Sequence, residues 1–223
     1  MIRIFSFILL FANISFAVAP TTGESSIWSF VGRDTPDKWE SLDERFRNCK
    51  ADQKATVIIT DKDLAINAAP IIFDYKAYAY PPVSLEQSKK MSVGDKLYKL
   101  VEFHVRLPSE HSINGNISKA VVHFVHQDSN KEIVVVAVMI KEGKSNPVIK
   151  NLIETVNDGP KARFAIEDGD LTALLPTDKQ YYYDEATVTT CPCTGKVSWY
   201  IMKDSIEATA EEIIGLQKTI ATN

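Results

Sequence analysis

Short segments rich in β-branched and aromatic residues recur along the chain, separated by polar residues, Pro and Gly. They are too brief for helices and have the length and spacing of strands. The pattern predicts strands at 56–60, 71–75, 99–107, 120–126, 133–140, 187–189 and 197–202. It predicts helices at 38–47, 152–155 and 205–218, the last with apolar residues at helical intervals. The predicted fold class is therefore mostly β (α+β) with peripheral helices.

The first 19 residues, MIRIFSFILLFANISFAVA, have the features of a secretory signal peptide. Arg3 precedes an apolar stretch from Ile4 to Ile14, and small residues follow. The stretch is shorter than the about 20 residues that a membrane-spanning helix needs, so an uncleaved anchor is the less favoured alternative. We therefore expect a signal peptide over 1–19, a single domain over 20–223, no membrane span after cleavage, and a secreted or periplasmic location.

Composition and charge exclude several classes of protein. The chain has 223 residues, of which 45% are hydrophobic and 24% charged, and these values are ordinary for a globular protein. Disordered, collagen-like and multi-span membrane proteins are excluded on this basis. The formal net charge of −4 also argues against binding to a nucleic acid, which favours clustered positive charge.

Export changes the meaning of the three cysteines, because disulfides form and persist in oxidising compartments. A bridge from Cys49 to Cys191 or to Cys193 would close a loop of about 140 residues, which the chain-entropy model values at about 4 to 5 kcal/mol. Cys191 and Cys193 are separated only by Pro192 and are poorly placed to bond to each other. One bridge and one remaining thiol are expected, with either late cysteine as the partner of Cys49.

The four histidines, His104, His111, His123 and His126, all fall within one stretch of the chain. Alternation along a strand places Glu102, His104 and Arg106 on one face. In the next predicted strand it places His123 on the same face as Val121 and Val125. Two adjacent antiparallel strands could thus direct His104 and His123 at one point.

These residues resemble those of the α-class carbonic anhydrases. The run FHVRLPSEH at 103–111, followed by Asn114 and Gly115, resembles the family stretch F-H-x-H-x-P-S-E-H-x-x-N-G. The run TTCPCT at 189–194, followed by Val197 and Trp199, resembles the family stretch T-T-P-P-C-x-x-x-V-x-W. The resemblance extends over about residues 28 to 215.

The resemblance implies a central twisted, mainly antiparallel sheet of about ten strands and a Zn²⁺ ion on three histidines. The metal lowers the pKa of a bound water, and the resulting hydroxide attacks CO₂ to give bicarbonate. Residue by residue, His104 matches the first zinc ligand and His123 the third. Thr189 matches the hydroxyl that orients the zinc-bound hydroxide, Glu110 the carboxylate that accepts that hydroxyl's proton, and Thr190 its neighbour in the cavity.

The resemblance also implies an apolar wall at which CO₂ binds, and a disulfide. The wall positions are Val125, Val135, Val188 and Trp199. Cys49 and Cys193 match the disulfide of secreted relatives, and Cys191 stands where the family usually has Pro.

Three departures from the family pattern concern the metal. Arg106 occupies the second ligand position and has no lone pair to offer, so we expect an ion pair with Glu110 or Glu102 instead. Val121 replaces the carboxylate that orients the third ligand. Glu102 replaces a supporting Gln, and a set of two histidines and Glu102 is the alternative way to complete a zinc site. No histidine precedes His104, so the family's proton shuttle is missing.

The remaining histidines, His111 and His126, are interpreted as buried core residues with satisfied hydrogen bonds. Two functions then follow. The first is an exported carbonic anhydrase-like protein, catalytically impaired by Arg106, that acts as a binding or structural module for a protein or glycan partner. The alternative is an active enzyme that hydrates CO₂ at an altered metal site. We favour the first, because hydroxide formation depends on the metal and the apolar wall supplies no nucleophile.

Overall fold

A computed structural model of the protein describes residues 38–49, 57–66, 68–76, 89–157, 170–187, 191 and 193–222. The predicted signal peptide and three predicted site residues, Val188, Thr189 and Thr190, lie outside the described residues. Within those ranges, no helix has both the length and the apolar character needed to cross a membrane.

The described residues form strands that build two sheets, with a few helices around them. The strands are β1 (Val57–Ile59), β2 (Ile71–Asp74), β3 (Lys90–Val93), β4 (Lys96–Arg106), β5 (His111–Ile113), β6 (Asn116–Ile117), β7 (Ala120–Gln127), β8 (Ile133–Glu142), β9 (Tyr181–Thr187), β10 (Lys196–Met202) and β11 (Ile206–Ala208). The helices are α1 (Trp39–Leu42), α2 (Pro147–Asn157) and α3 (Ala210–Thr222), with 3₁₀ turns at Glu44–Phe46, Asp61–Asp63 and Thr172–Leu174.

The larger sheet has the strand order β2-β3-β4-β7-β8-β10-β9, and β11 pairs with β8. Its pairs are antiparallel except for those of β8 with β10 and with β11. A smaller sheet has the order β1-β5-β6. The predicted mostly β class with a mainly antiparallel sheet is confirmed, although the larger sheet has eight strands in the described residues rather than about ten.

The helix predicted over 205–218 is wrong at its start, because Ile206–Ala208 forms β11. Helix α3 begins at Ala210, where Thr209 and Glu212 form a reciprocal cap: the Thr209 N–H donates to Glu212 Oε2 (2.9 Å) and the Glu212 N–H donates to Thr209 Oγ1 (3.2 Å). A second cap sets the start of α2 at Pro147, earlier than predicted, because Asn146 Oδ1 accepts the N–H groups of the first turn.

The helix predicted over 38–47 is instead the short helix α1 followed by a 3₁₀ turn. Of the strand predicted over 187–189, Thr187 is the last residue of β9, which begins at Tyr181, and the other two positions lie outside the described residues. The sequence pattern missed β3, β5 and β6, because these strands are short and polar.

The larger sheet buries a different set of side chains on each face. One face packs against α2 and α3 and forms the large core, which includes Val122, Phe124, Val136 and Ile149. The other face forms a smaller cluster, the site-side core, made of Ile59, Val121, Val135, Ala137, Met139, Tyr182, Val197, Trp199 and Ile201. A register shift in β4 between Leu100 and Glu102 lets Phe103 and Val105 pack on the large core while Glu102, His104 and Arg106 take the opposite face.

Candidate functional site

Strands β4 and β7 bring the two predicted ligand histidines together, because their antiparallel register sets His104 opposite His123. His104 Nε2 lies 3.3 Å from His123 Nδ1, and the two rings are nearly perpendicular. His123 is 3% exposed, whereas His104 lies at the edge of the site with its side chain 37% exposed. The prediction that two adjacent strands direct these histidines at one point is confirmed.

Arg106 lies opposite Val121 in the same register and forms an ion pair with Glu110. Its Nη1 donates to Glu110 Oε2, and the side chains of Arg106 and Glu110 are 21% and 8% exposed. The other carboxylate oxygen, Glu110 Oε1, lies 3.7 Å from His123 Nε2. Of the two partners expected for Arg106, the structure selects Glu110, which therefore contacts both the guanidinium and one of the predicted ligands.

Glu102 contacts His104 on the side of the ring that faces away from His123. Glu102 Oε1 lies 3.3 Å from His104 Nδ1, and the other ring nitrogen, Nε2, is the one that lies close to His123. This contact orients the ring of His104. The alternative in which Glu102 completes a metal site with the two histidines stays a prediction.

A cluster of buried rings lies behind the two histidines. The ring centroid of Trp199 is 4.8 Å from that of His111 and 5.2 Å from that of His123. Burial, reinforced by the charge of Arg106, lowers the pKa of His111 to about 4. Burial, and then the neighbouring His104, His111 and Arg106, holds the pKa of His123 well below its usual range. Both rings are therefore neutral at pH 7.

Several buried polar atoms of this cluster have no hydrogen-bond partner among the described residues: His111 Nδ1 and Nε2, His123 Nε2, and Trp199 Nε1. The prediction of a hydrogen-bonded His111 is therefore wrong for the part of the chain that the structure describes. Val121 explains part of this deficit, because it is fully buried on the same strand face as His123 and contributes a side chain without a polar group. Buried unpaired groups are rare in folded proteins and cost about 1 to 3 kcal/mol each. The cluster is thus polar, neutral and incompletely bonded.

His126 behaves as the sequence predicts, as a buried histidine on the opposite side of the sheet. Its Nε2 lies 2.5 Å from the Tyr75 hydroxyl, and the two rings are stacked. Burial lowers the pKa of His126 to about 3 and raises that of Tyr75 well above its usual range. The neutral hydroxyl and the neutral ring are hydrogen-bonded to each other inside the large core, and His126 Nδ1 has no hydrogen-bond partner among the described residues.

Three of the four predicted wall residues form one row across neighbouring strands. Val125 pairs with Val135, and Val135 pairs with Trp199, in the register of β7, β8 and β10. All three belong to or pack against the site-side core. The fourth wall position, Val188, and the predicted catalytic residues Thr189 and Thr190 lie outside the described residues, so their roles stay predictions.

The predicted disulfide between Cys49 and Cys193 is present, with the two Cα atoms 5.0 Å apart. It lies in a separate cluster with Trp39 and Phe46. Cys191 belongs to the same cluster, is not disulfide-bonded, and is 3% exposed. The resemblance identified the partner of Cys49, which the spacing of the cysteines alone left open.

The two predicted ligand nitrogens fit part of a zinc site. Two ligands at 2.0 to 2.1 Å from a tetrahedral zinc lie about 3.4 Å apart, close to the 3.3 Å between His104 Nε2 and His123 Nδ1. The third position, however, holds a guanidinium, which cannot donate a lone pair and carries a positive charge. The described residues therefore do not provide the three-histidine donor set of a zinc centre.

A second group of possible ligands consists of Glu110, His111 and His123, whose ligand atoms lie within 4.8 Å of one another. Glu110 is already engaged by the Arg106 guanidinium, and that charge opposes a cation at the same carboxylate. Sequence reasoning named Glu110 as one of two expected partners of Arg106 but missed its approach to His123. The spacing of Glu110 and His123 carries no periodic signal that would have revealed this contact.

Comparisons with known proteins agree with this architecture. The family described as eukaryotic-type carbonic anhydrase matches residues 35–223. A carbonic anhydrase of Neisseria gonorrhoeae is 30% identical over 209 residues, covering 88% of this chain and 81% of that protein. A carbonic anhydrase of Klebsiella pneumoniae is 25% identical, covering 91% and 87%.

Solved structures give the same result. The α-carbonic anhydrase of Thermovibrio ammonificans, in complex with the inhibitor sulfanilamide, superposes with a TM-score of 0.70 at 28% identity, covering 86% of this chain and 90% of that one. Dioscorin in complex with ascorbate has a TM-score of 0.72 at 19% identity, covering 88% and 90%, and this likeness shows the fold alone.

Proposed function

The chain belongs to the eukaryotic-type carbonic anhydrase family, and we propose that it is a catalytically impaired member that acts outside the cytoplasm as a binding or structural module. The observation that carries this proposal is the ion pair of Arg106 with Glu110, beside His104 and His123. The family is typically zinc-dependent, and in this chain a fixed positive charge occupies one of the three ligand positions.

Charge repulsion is the first argument against tight zinc binding. At about 4 Å and an effective dielectric constant of 20, a guanidinium and Zn²⁺ repel each other by roughly 8 kcal/mol. A complete structural zinc site is worth about 10 to 16 kcal/mol, and this site also lacks one ligand. Glu110 stabilises Arg106 in its present position. Moving the guanidinium away would leave the buried Glu110 carboxylate without this ion pair, which is costly.

The environment of His123 is the second argument. A ligating histidine usually donates its second ring N–H to a carboxylate or carbonyl, and loss of that partner costs 10- to 100-fold in metal affinity or activity. His123 Nε2 has no hydrogen bond to any described residue, and its nearest carboxylate oxygen is 3.7 Å away on a group already paired with Arg106. The absence of any histidine before His104 also leaves no proton shuttle of the family type.

A location outside the cytoplasm is supported by two features. The predicted signal peptide over residues 1–19 would direct export, and the Cys49 to Cys193 disulfide is of the kind that persists in oxidising compartments. The partner in that location would be a protein or a glycan.

One observation favours the alternative function, an enzyme that hydrates CO₂ to bicarbonate at an altered metal site. The nitrogens of His104 and His123 keep the separation of two zinc ligands, and the row of Val125, Val135 and Trp199 keeps the apolar wall. The wall alone is weak support, because the same residues fill the site-side core.

The test compares the purified protein with the variants Arg106→His and Arg106→Gln, after incubation with zinc. Zinc content is measured by mass spectrometry of metals against a competing chelator, and CO₂ hydration by stopped flow. We expect little zinc and uncatalysed rates in the parent protein. Arg106→His should raise zinc affinity at least about 100-fold, which corresponds to about 3 kcal/mol.

Arg106→Gln is the matched control, because it removes the charge without supplying a ligand and should therefore fall between the other two. Near-stoichiometric zinc and turnover in the parent protein would support the enzyme instead. Equal zinc affinity of Arg106→His and the parent would show that the guanidinium does not govern the site. Circular dichroism of each variant separates loss of fold from loss of metal.

A further inference from the structure

The Cys49 to Cys193 disulfide has a third sulfur beside it. Cys191 Sγ lies 3.6 Å from Cys49 Sγ, inside the buried cluster that includes Trp39 and Phe46. One ligand atom from each of the three cysteines lies within 4.8 Å of the others. A thiol is thus held in contact with the sulfur that it would attack in a thiol–disulfide exchange.

We propose that Cys49 exchanges its disulfide partner between Cys193 and Cys191. The Cys191 thiolate attacks Cys49 Sγ, the Cys49 to Cys193 bond breaks, and Cys193 leaves as a thiolate that takes up the proton lost by Cys191. One disulfide and one thiol are present before and after the step, so it consumes no oxidant and no reductant.

The two disulfide isomers have nearly equal chain-entropy contributions. The sequence separation is 144 residues for the bond with Cys193 and 142 for the bond with Cys191, and loop entropy changes only with the logarithm of length. Local geometry therefore decides the balance between them. Cys193 has a φ of 55°, a left-handed conformation that is unfavourable for a residue with a Cβ.

The exchange would shift the point at which this segment is tied to Cys49. Cys191 directly follows Thr189 and Thr190 in the sequence, and two residues of extended chain span at most about 7 Å. A disulfide at Cys191 lies next to Thr190 in the sequence, whereas a disulfide at Cys193 lies two residues further along the chain. The exchange would change which residue of this segment is linked to Cys49. It does not rest on the proposed function.

The first test maps the thiol of the purified wild-type protein without reduction. The protein is kept at about pH 8.5, where an ordinary thiol is half ionised, or at about pH 6, quenched with acid at increasing times, unfolded and alkylated with N-ethylmaleimide. Trypsin then yields residues 48–50 linked to residues 180–196. Fragmentation in the mass spectrometer shows whether Cys191 or Cys193 carries the alkyl group.

We expect alkylated Cys191 at first and a growing share of alkylated Cys193, which rises faster at the higher pH and reaches a plateau. In Cys193→Ser, a disulfide from Cys49 to Cys191 should form in a glutathione buffer. Its matched control, Cys191→Ser, should form the Cys49 to Cys193 bond and leave no thiol. Alkylation of Cys191 alone at every time and pH in the wild type would overturn the proposal, whether or not Cys193→Ser folds.

Discussion

Two buried histidines on β7, His123 and His126, lie three residues apart and face opposite sides of the larger sheet. On the side of the large core, His126 Nε2 is hydrogen-bonded to the Tyr75 hydroxyl at 2.5 Å, and only its Nδ1 has no hydrogen bond to a described residue. On the site side, His123 Nε2 has no hydrogen bond to a described residue and lies 3.7 Å from a carboxylate that Arg106 already binds. Burial is equal, so the difference lies in the partners.

The contrast shows which face retains polar groups that stability alone does not require. A polar group in a core is normally retained together with its partner, because an unpaired one costs about 1 to 3 kcal/mol. Among the described residues, the site side has four unpaired ring nitrogens, on His111, His123 and Trp199, whereas the large-core side has one, His126 Nδ1. This is the face on which the sequence predicts the ligands and the apolar wall, and Arg106 forms an ion pair with Glu110 there.

The largest effect is expected from breaking that balance. Arg106→Met leaves the buried Glu110 carboxylate without its guanidinium and should lower the free energy of unfolding by about 3 to 5 kcal/mol. Glu110→Gln should also be destabilising, whereas the double variant should cost clearly less than the two single changes combined. Denaturant unfolding of the four proteins gives the coupling energy. Additive effects would show that the pair does not stabilise the site side.

The sequence predicted β4 and β7 and the sheet face on which His104 and His123 lie, since alternation in both strands is strong and both strands are long. It could not choose between Glu102 and Glu110 as the partner of Arg106, because that choice depends on how the chain turns after β4. It also placed the start of α3 too early, where pairing of Ile206–Ala208 with β8 overrides a helical pattern of apolar residues.

The site residues likewise divide into those whose positions the sequence predicted and those whose positions it did not. His104, His123 and Arg106 lie on regular strands, and their relative positions followed from the period of two residues. The partner of Cys49 was implied by resemblance and not by spacing, since Cys191 and Cys193 are equivalent candidates by loop length. That Glu102 contacts Nδ1 of His104 rather than Nε2 depends on side-chain torsions that no pattern of residue types encodes.

A smaller effect is expected from pH on the site side. The pKa of His111 is about 4 in the folded protein, whereas in the unfolded chain it returns to about 6.5. Between about pH 6.5 and pH 4 the unfolded chain binds a proton at His111 and the folded protein does not. The contribution of His111 to the free energy of unfolding is therefore present above pH 6.5 and is lost as the pH falls. The contribution is about 1.4 kcal/mol per pH unit for this one residue.

His111→Gln should therefore lose stability less steeply than the wild type between about pH 6 and pH 4.5. Val135→Ala is the matched control, because it weakens the same site-side core without changing a titratable group and should keep the wild-type slope. Guanidinium unfolding at several pH values measures both. Equal slopes for His111→Gln and the wild type would mean that His111 becomes protonated without unfolding.

The smallest effect on stability is expected when His126 loses its hydrogen-bond partner, so that its Nε2 is unpaired like that of His123. Tyr75→Phe removes the hydroxyl that is hydrogen-bonded to His126 Nε2 and preserves the ring packing, so it should cost about 1 to 2 kcal/mol of unfolding free energy. Tyr183→Phe, at an exposed position, should change stability by less than about 0.5 kcal/mol.

A double variant tests the same contact from the other side. Adding His126→Leu to Tyr75→Phe removes the histidine partner as well and should recover part of the loss, because a fully apolar pair leaves no unmet hydrogen bond. If Tyr75→Phe is as neutral as Tyr183→Phe, then the hydroxyl is not what distinguishes His126 from His123, and the contrast between the two faces has to rest on the ion pair of Arg106 and Glu110.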